Sequence, residues 1–179
     1  EEEICIKLAN GFNQSHLDQL EHLEIFPSDE GPTYKLPIYF GEELDWAAVK
    51  NHTGLSKAEF ITKLVDSEFN IAMFGFLPGF IYFNGLSKEL HVPRKNTPNV
   101  EVLENALAIG DKYLGFYSLP SPGGWHIIGQ CPFQLFDREA LPPVVIPRTS
   151  TIQIVEIDQR SYTALKTKGI NFKIYNDSN

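Results

Sequence analysis

With 179 residues, 42% of them hydrophobic, the chain is long enough for one sizeable core or two small ones sharing an interface. Its net charge of −8, with 15 basic residues scattered singly against 23 acidic ones, excludes the concentrated positive footprint of a nucleic-acid binder. Cys5 and Cys131 are too few for a disulfide framework, no apolar run has membrane length and Glu1-Glu2-Glu3 opens no signal peptide, so a cytoplasmic protein without a membrane partner is expected.

Ile4 to Leu8 alternates as a strand, and Ser15 with Asp18 forms a variant capping box ahead of Leu17, Leu20 and Leu23. Tyr34 to Phe40 reads as a further strand. Pro37 withdraws a ladder donor from it and favours an edge position. Ser56 and Glu59 make a capping box, Leu55 and Phe60 occupy staple positions, and Ile61, Leu64 and Val65 supply a buried stripe, which predicts a helix from Ser56.

From Phe69 the texture changes to short β-rich runs punctuated by Gly and Pro. The predicted strands are Asn70 to Phe76, Phe80 to Phe83, Ala106 to Ile109, Tyr113 to Tyr117, Trp125 to Ile128, Phe133 to Phe136, Ile152 to Ile157 and Phe172 to Tyr175. Many short strands at this spacing favour a barrel, which leaves no exposed edge. The fold class read from this pattern is α+β. A small α/β domain over residues 1–68 precedes a β-barrel over 69–179, with the boundary near Ser67 to Asn70.

Three segments combine Gly and Pro with side chains that bind or react. In Gly75-Phe76-Leu77-Pro78-Gly79-Phe80-Ile81-Tyr82, glycines flank a proline and impose a tight turn whose aromatics offer apolar walls. In His91-Val92-Pro93-Arg94-Lys95, strand alternation puts His91 and Arg94 on opposite faces unless a kink at Pro93 joins them. Together they would supply a proton-transfer group and a fixed cation. In Ser121-Pro122-Gly123-Gly124-Trp125, the paired glycines can offer successive N–H groups as an anion nest and Trp125 can close one side of a pocket. Ser121 lacks the strand-turn-helix setting of a nucleophile elbow. The plain alternatives are a loop pinned by its own aromatics, a surface histidine with a salt-bridged arginine, and a hairpin turn. No cysteine or histidine spacing points to a metal.

Taken together, Gly75 to Tyr82, Leu90-His-Val-Pro-Arg94, Thr97-Pro98, Ser121-Pro-Gly-Gly-Trp125, Ile128-Gly129 and Pro132 resemble the signature of the family that holds allophanate hydrolase subunit 1, KipI and the 5-oxoprolinase B subunit, the carboxyltransferase subdomain C and D group. The likeness runs from about Leu36 to Asp137. It implies a cyclophilin-like β-barrel after a small, ferredoxin-like and here shortened α/β domain. Two stretches depart from the pattern: Gly41-Glu42-Glu43-Leu44-Asp45 compresses a glycine-rich segment, and Gln130-Cys131 stands where an Arg-Thr pair is expected.

The activity implied is that of a non-autonomous component of an ATP-dependent 5-oxoprolinase, converting 5-oxo-L-proline to L-glutamate beside a partner of the 5-oxoprolinase C or KipA type and a LamB/YcsF-type subunit. ATP would be held mainly by the complex, because the chain has no Walker loop. His91 and Arg94 would be catalytic, and Pro78, Gly79, Phe80, Ser121, Gly123, Gly124 and Trp125 would bind substrate. Two other readings carry the same motifs: a carboxyltransferase component of a biotin-dependent urea carboxylase or allophanate system, and a KipI-like inhibitor docked on a sensor histidine kinase. All the site readings rest on the three segments converging on one cleft at the barrel mouth.

Overall fold

A computed structural model describes residues 31–178. The strand expected at Ile4 to Leu8 and the helix expected from Ser15 lie outside these residues, as do residues 1–30 of the expected ferredoxin-like domain. The described elements are strands β1 (Thr33–Tyr39), β2 (Glu68–Phe74), β3 (Ile81–Asn84), β4 (Asn99–Val102), β5 (Ala106–Gly110), β6 (Tyr113–Phe116), β7 (Ser121–Gly123), β8 (His126–Gln130) and β9 (Thr151–Ile157). The helices are α1 (Trp46–Thr53), α2 (Lys57–Val65), α3 (Gln159–Thr167) and α4 (Phe172–Asp177).

Seven strands close a barrel in the order β1-β8-β5-β6-β3-β2-β9, and β4 pairs with β7 as a separate two-stranded flap. Period-two alternation drives the closure. Leu36 and Ile38, Phe69 and Ile71, Ile81 and Phe83, Leu107 and Ile109, Leu114 and Phe116, and Ile152 and Ile154 all enter one buried interior cluster. Each such side chain contributes about 1.5–3 kcal/mol when fully removed from water. Among the described residues, no helix is long and apolar enough to cross a membrane.

The expected boundary near Ser67 to Asn70 does not separate the barrel from what precedes it. β1 lies upstream of that point and is a barrel strand, in parallel register with β9 from Thr33↔Thr151 to Tyr39↔Ile157. Helices α1 and α2 are likewise tied to the barrel, since Trp46, Val49, Phe60, Ile61 and Leu64 join the same interior cluster.

Pro37 behaves as its chemistry demands even inside a closed sheet. Toward β8, β1 is paired only at Tyr39↔Gln130. At Lys35 the carboxamide of Asn176 stands in for a neighbouring strand: the Lys35 N–H donates to Asn176 Oδ1 (2.7 Å) and Asn176 Nδ2 donates to the Lys35 carbonyl (3.2 Å). Odd-numbered residues of β1 face this side, so the N–H that Pro37 lacks falls where no ladder bond is made.

Two expected strands are not strands. Phe172 to Tyr175 belongs to α4, because Asn171 Oδ1 caps the Ile174 N–H (2.9 Å) and Phe172 and Tyr175, three apart on a helix, both pack on Phe133. The Phe133 to Phe136 stretch carries a single bridge, Phe136↔Val144. Helix α2 starts as its sequence requires. Ser56 Oγ accepts from the Glu59 N–H (3.3 Å) and Glu59 Oε2 accepts from the Ser56 N–H (2.8 Å). Ser56→Ala removes this cap and is expected to cost about 1 kcal/mol. Urea denaturation checks it, the midpoint falling while the slope stays unchanged.

Candidate functional site

The wall formed by β3, β6, β5 and β8 carries a second apolar layer on its outer surface. There Phe80, Val102, Ala106, Ala108, Tyr117 and Trp125 form a cluster distinct from the interior one. It can form because β5 and β6 each place a glycine under Trp125. A Cβ on Gly110 would stand 2.6 Å from the indole, and one on Gly115 would stand 2.5 Å from it and 2.7 Å from Phe80. The indole therefore lies directly on the sheet backbone. Phe80 meets Trp125 edge to face at 5.8 Å, Tyr117 at 4.9 Å and Tyr82 at 4.7 Å, within the range of favourable aromatic pairing.

The three segments converge on this surface. The Gly75 to Tyr82 loop is closed by Gly75 N–H to Phe80 carbonyl (3.2 Å) and Phe80 N–H to Leu77 carbonyl (3.1 Å). Gly79 takes φ +76° and packs on Phe136 where a side chain would not fit. Pro78 is fixed by Ser118 Oγ, which donates to its carbonyl at 2.6 Å. The Arg94 guanidinium lies 5.6 Å above the Trp125 ring, while its Nε donates to Asp111 Oδ2 at 2.8 Å. Lys95 N–H donates to the Gly124 carbonyl at 2.7 Å, joining the second and third segments. The convergence lies on the outside of the barrel wall, under the β4–β7 flap, and not at the barrel mouth.

Other details depart from the sequence expectations. His91 is turned to the Leu86 carbonyl, 3.1 Å from its Nε2, and is not among the residues lining the hollow beside Arg94. The Gly123-Gly124 pair makes no anion nest. Neither glycine has a positive φ, and Gly123 is a strand residue paired with Asn99. Ser121 is buried with its Oγ unpartnered. Gln130, in place of the expected arginine, spends its amide on the Glu104 carbonyl at 2.6 Å.

Beside Arg94 opens a hollow of about 390 Å³ lined by Ala48, His52, Pro93, Lys95, Thr97 and His126 among others. Three of its features escaped the sequence reading. Asp45 sits at the N-cap position of α1 but caps nothing, because its carboxylate instead accepts from the Ile127 N–H (2.7 Å) and pairs with Lys95 (2.7 Å). This ties α1 to β8. His126 is 4% exposed, its Nε2 lies 3.1 Å from the Pro93 carbonyl and its Nδ1 has no partner. The His52 ring lies 6.0 Å from it. Burial holds His126 below its ordinary value of 6.5, against an opposing pull from Asp45, so the ring is neutral. Burial also pushes Tyr117 up to about 12. Among the described residues, no group of three or more His, Cys, Asp and Glu side chains is placed to hold a metal ion.

The closed seven-stranded barrel thus carries an aromatic outer face on which two glycine-containing segments and the Arg94 segment meet. Residues 9–146 match the family described as carboxyltransferase domain, subdomain C and D, and the chain belongs to that family. Its relatives include the 5-oxoprolinase B subunit of Bacillus subtilis (strain 168), 31% identical over 134 residues covering 74% of this chain and 56% of the relative. The corresponding B subunit of Escherichia coli O157:H7 is 30% identical over 147 residues, 78% of this chain and 67% of the relative. The chain thus spans little more than half the length of the Bacillus protein. Among solved structures, the conserved uncharacterized protein PH0987 from Pyrococcus horikoshii superposes with a TM-score of 0.69 at 28% identity, covering 83% of this chain and 65% of that one. The K. lactis urea amidolyase shares the fold, with a TM-score of 0.60 at 13% identity over 74% of this chain and 10% of that one.

Two outcomes follow from this geometry. Gly115→Ala drives a methyl into Trp125 and Phe80. It is expected to destabilise the fold by about 1–3 kcal/mol and to shift the indole fluorescence, both read in one thermal melt followed by emission. For His126 the folded value lies below the unfolded one, so the unfolded chain takes the proton first as pH falls below about 6.5. Stability present above that pH is lost below it. The denaturation midpoint of the native chain should therefore fall more steeply between pH 7 and pH 5 than that of His126→Gln, which has no such proton to take up.

Proposed function

We propose that the chain acts as one component of an ATP-dependent 5-oxoprolinase, presenting to the lactam substrate a fixed cation seated on a buried aromatic layer while a partner subunit completes the site. The observation that carries this reading is the Arg94 guanidinium, oriented by Asp111 on one edge and by the Trp125 face below it, with the rest of its fork directed to solvent. An exposed ion pair of this kind adds little stability. Its value lies in orientation, because a planar fork held at one edge offers the other for bidentate pairing with a carboxylate. 5-Oxoproline carries such a carboxylate. The names of the 5-oxoprolinase relatives support the same assignment.

The local charges argue that ATP is handled elsewhere in the complex. Lys95 is paired with Asp45 and Arg94 with Asp111, so the two cations are balanced by two carboxylates. Such a site matches one carboxylate and not the several charges of a triphosphate. The lactam amide is unreactive until its oxygen is activated, and phosphorylation by ATP, before water attacks, is the route this proposal adopts. Within that scheme Arg94 positions the substrate from its seat on the buried Trp125 ring.

The test is reconstitution with partner subunits of the 5-oxoprolinase C and LamB/YcsF types. Alone, the chain should show no 5-oxoproline-dependent ATP hydrolysis, and such hydrolysis by the isolated chain would overturn the division of labour. In the complex, Arg94→Ala should lower kcat/KM for 5-oxoproline by roughly 10- to 100-fold, the range expected for loss of a charged hydrogen bond. His91→Ala should stay near the native value because its ring is engaged with Leu86. Full turnover by Arg94→Ala would sink the assignment.

A further inference from the structure

The described residues hold three histidines, and the fold gives each a different access to the hollow beside Arg94. The His91 ring is turned to the Leu86 carbonyl and stands outside the hollow. His126 lines the hollow but is sealed, its Nε2 lying against the Pro93 carbonyl and its Nδ1 shut off from solvent. His52 is exposed, lines the hollow, and makes no side-chain hydrogen bond among the described residues. Both of its ring nitrogens are therefore open to a ligand.

The place of His52 is fixed in spite of its exposure. Asp45, Ala48 and His52 follow at helical spacing and share the face of α1 turned to β8. Asp45 anchors that face, because its N–H donates to the Ile127 carbonyl (3.0 Å) and its carboxylate accepts from the Ile127 N–H (2.7 Å). Two turns further on, the His52 ring meets the His126 ring edge to face at 6.0 Å. Ala48, one turn before it, lines the same hollow.

We propose that His52 is a catalytic residue of this site and carries the proton-transfer role expected of His91. The inference rests on the 5-oxoprolinase reading, in which the lactam lies in the hollow with its carboxylate on Arg94. After ATP has phosphorylated the lactam oxygen, a water oxygen bonds to the carbonyl carbon and one of its protons passes to a His52 nitrogen. The C–N bond then breaks, its electron pair stays on nitrogen, and His52 returns the proton there. The other water proton leaves the new hydroxyl for the same nitrogen as the carbonyl re-forms. The lactam N–H thus ends as an ammonium group and the carboxyl as its acyl phosphate, which a second water hydrolyses. An unprotonated amine leaves poorly, and an imidazole can take a proton and give it back near neutral pH.

The experiment uses the complex reconstituted with the 5-oxoprolinase C and LamB/YcsF-type subunits and follows steady-state turnover of 5-oxoproline. His52→Gln should lower kcat by about 10²- to 10⁴-fold with little change in KM, whereas Arg94→Ala, which loses the grip on the carboxylate, should act mainly on KM. His52→Ala should regain turnover saturably on addition of imidazole, a response that no purely structural role would give. Because the side chain is exposed, both His52 variants should melt and co-elute with the partner subunits as the native chain does. Native kcat in His52→Gln would overturn the inference, and an Arg94→Ala that stayed impaired in the same assay would leave the 5-oxoprolinase reading standing. Loss of co-elution, or an effect carried by KM alone, would also overturn it. A native complex without turnover would sink both together.

Discussion

The outer surface of this barrel depends on one close approach, the Trp125 indole resting on the backbone of β5 and β6 at Gly110 and Gly115. An ordinary strand residue at either position would lift the ring by the thickness of a side chain. With the ring seated, Phe80 and Tyr82 have an edge-on partner, Arg94 has a π-face to lie on, and Val102 and Tyr117 complete the apolar layer beneath the flap. Two residues without side chains thus convert a solvent-facing wall into a second core. That second core holds the three glycine-rich and basic segments in one place.

The charges around this layer are arranged for position more than for field strength. Asp45 leaves α1 uncapped in order to hold the Ile127 N–H and Lys95, which locks the helix, the His91 to Lys95 segment and β8 to one another. Arg94 is left with a fixed orientation and a partly free fork. The chain belongs to the carboxyltransferase subdomain C and D family, whose match over residues 9–146 takes in all three of these segments. The amide of Gln130, spent on the Glu104 carbonyl, gives this chain a neutral strut where the family resemblance leads one to expect a cation.

Much of this was legible in the amino-acid order. The Ser56/Glu59 box announces its helix because both halves of the reciprocal bond are encoded within four residues. Period-two runs such as Leu107 and Ile109 announce their strands because one face must be dry. What stayed hidden depends on distant partners. Helix α1 lacks a local cap, since Asp45 is claimed by Ile127, 82 positions away. The aromatic run at Phe172 reads as strand until Asn171 is seen to cap it and Phe133 to receive it. His126 shows nothing of its unpartnered nitrogen in sequence, and the closeness of Arg94 to Trp125 requires the flap and both glycines to be in place. His91 and Arg94, neighbours in the chain, are divided because one answers to a carbonyl at Leu86 and the other to a carboxylate at Asp111.

The junction between β1 and β8 is the loosest part of the hoop. One residue pair, a helix-borne carboxamide and a proline without a hydrogen to give stand where a full ladder would otherwise run. The Asn176 carboxamide stands in there for a strand residue, since its two bonds to the Lys35 backbone reproduce the donor and acceptor that a neighbouring strand would offer. Pro37 leaves a gap in the row of donors along this side of β1, so the sparsely laddered junction offers a poor template to any other chain.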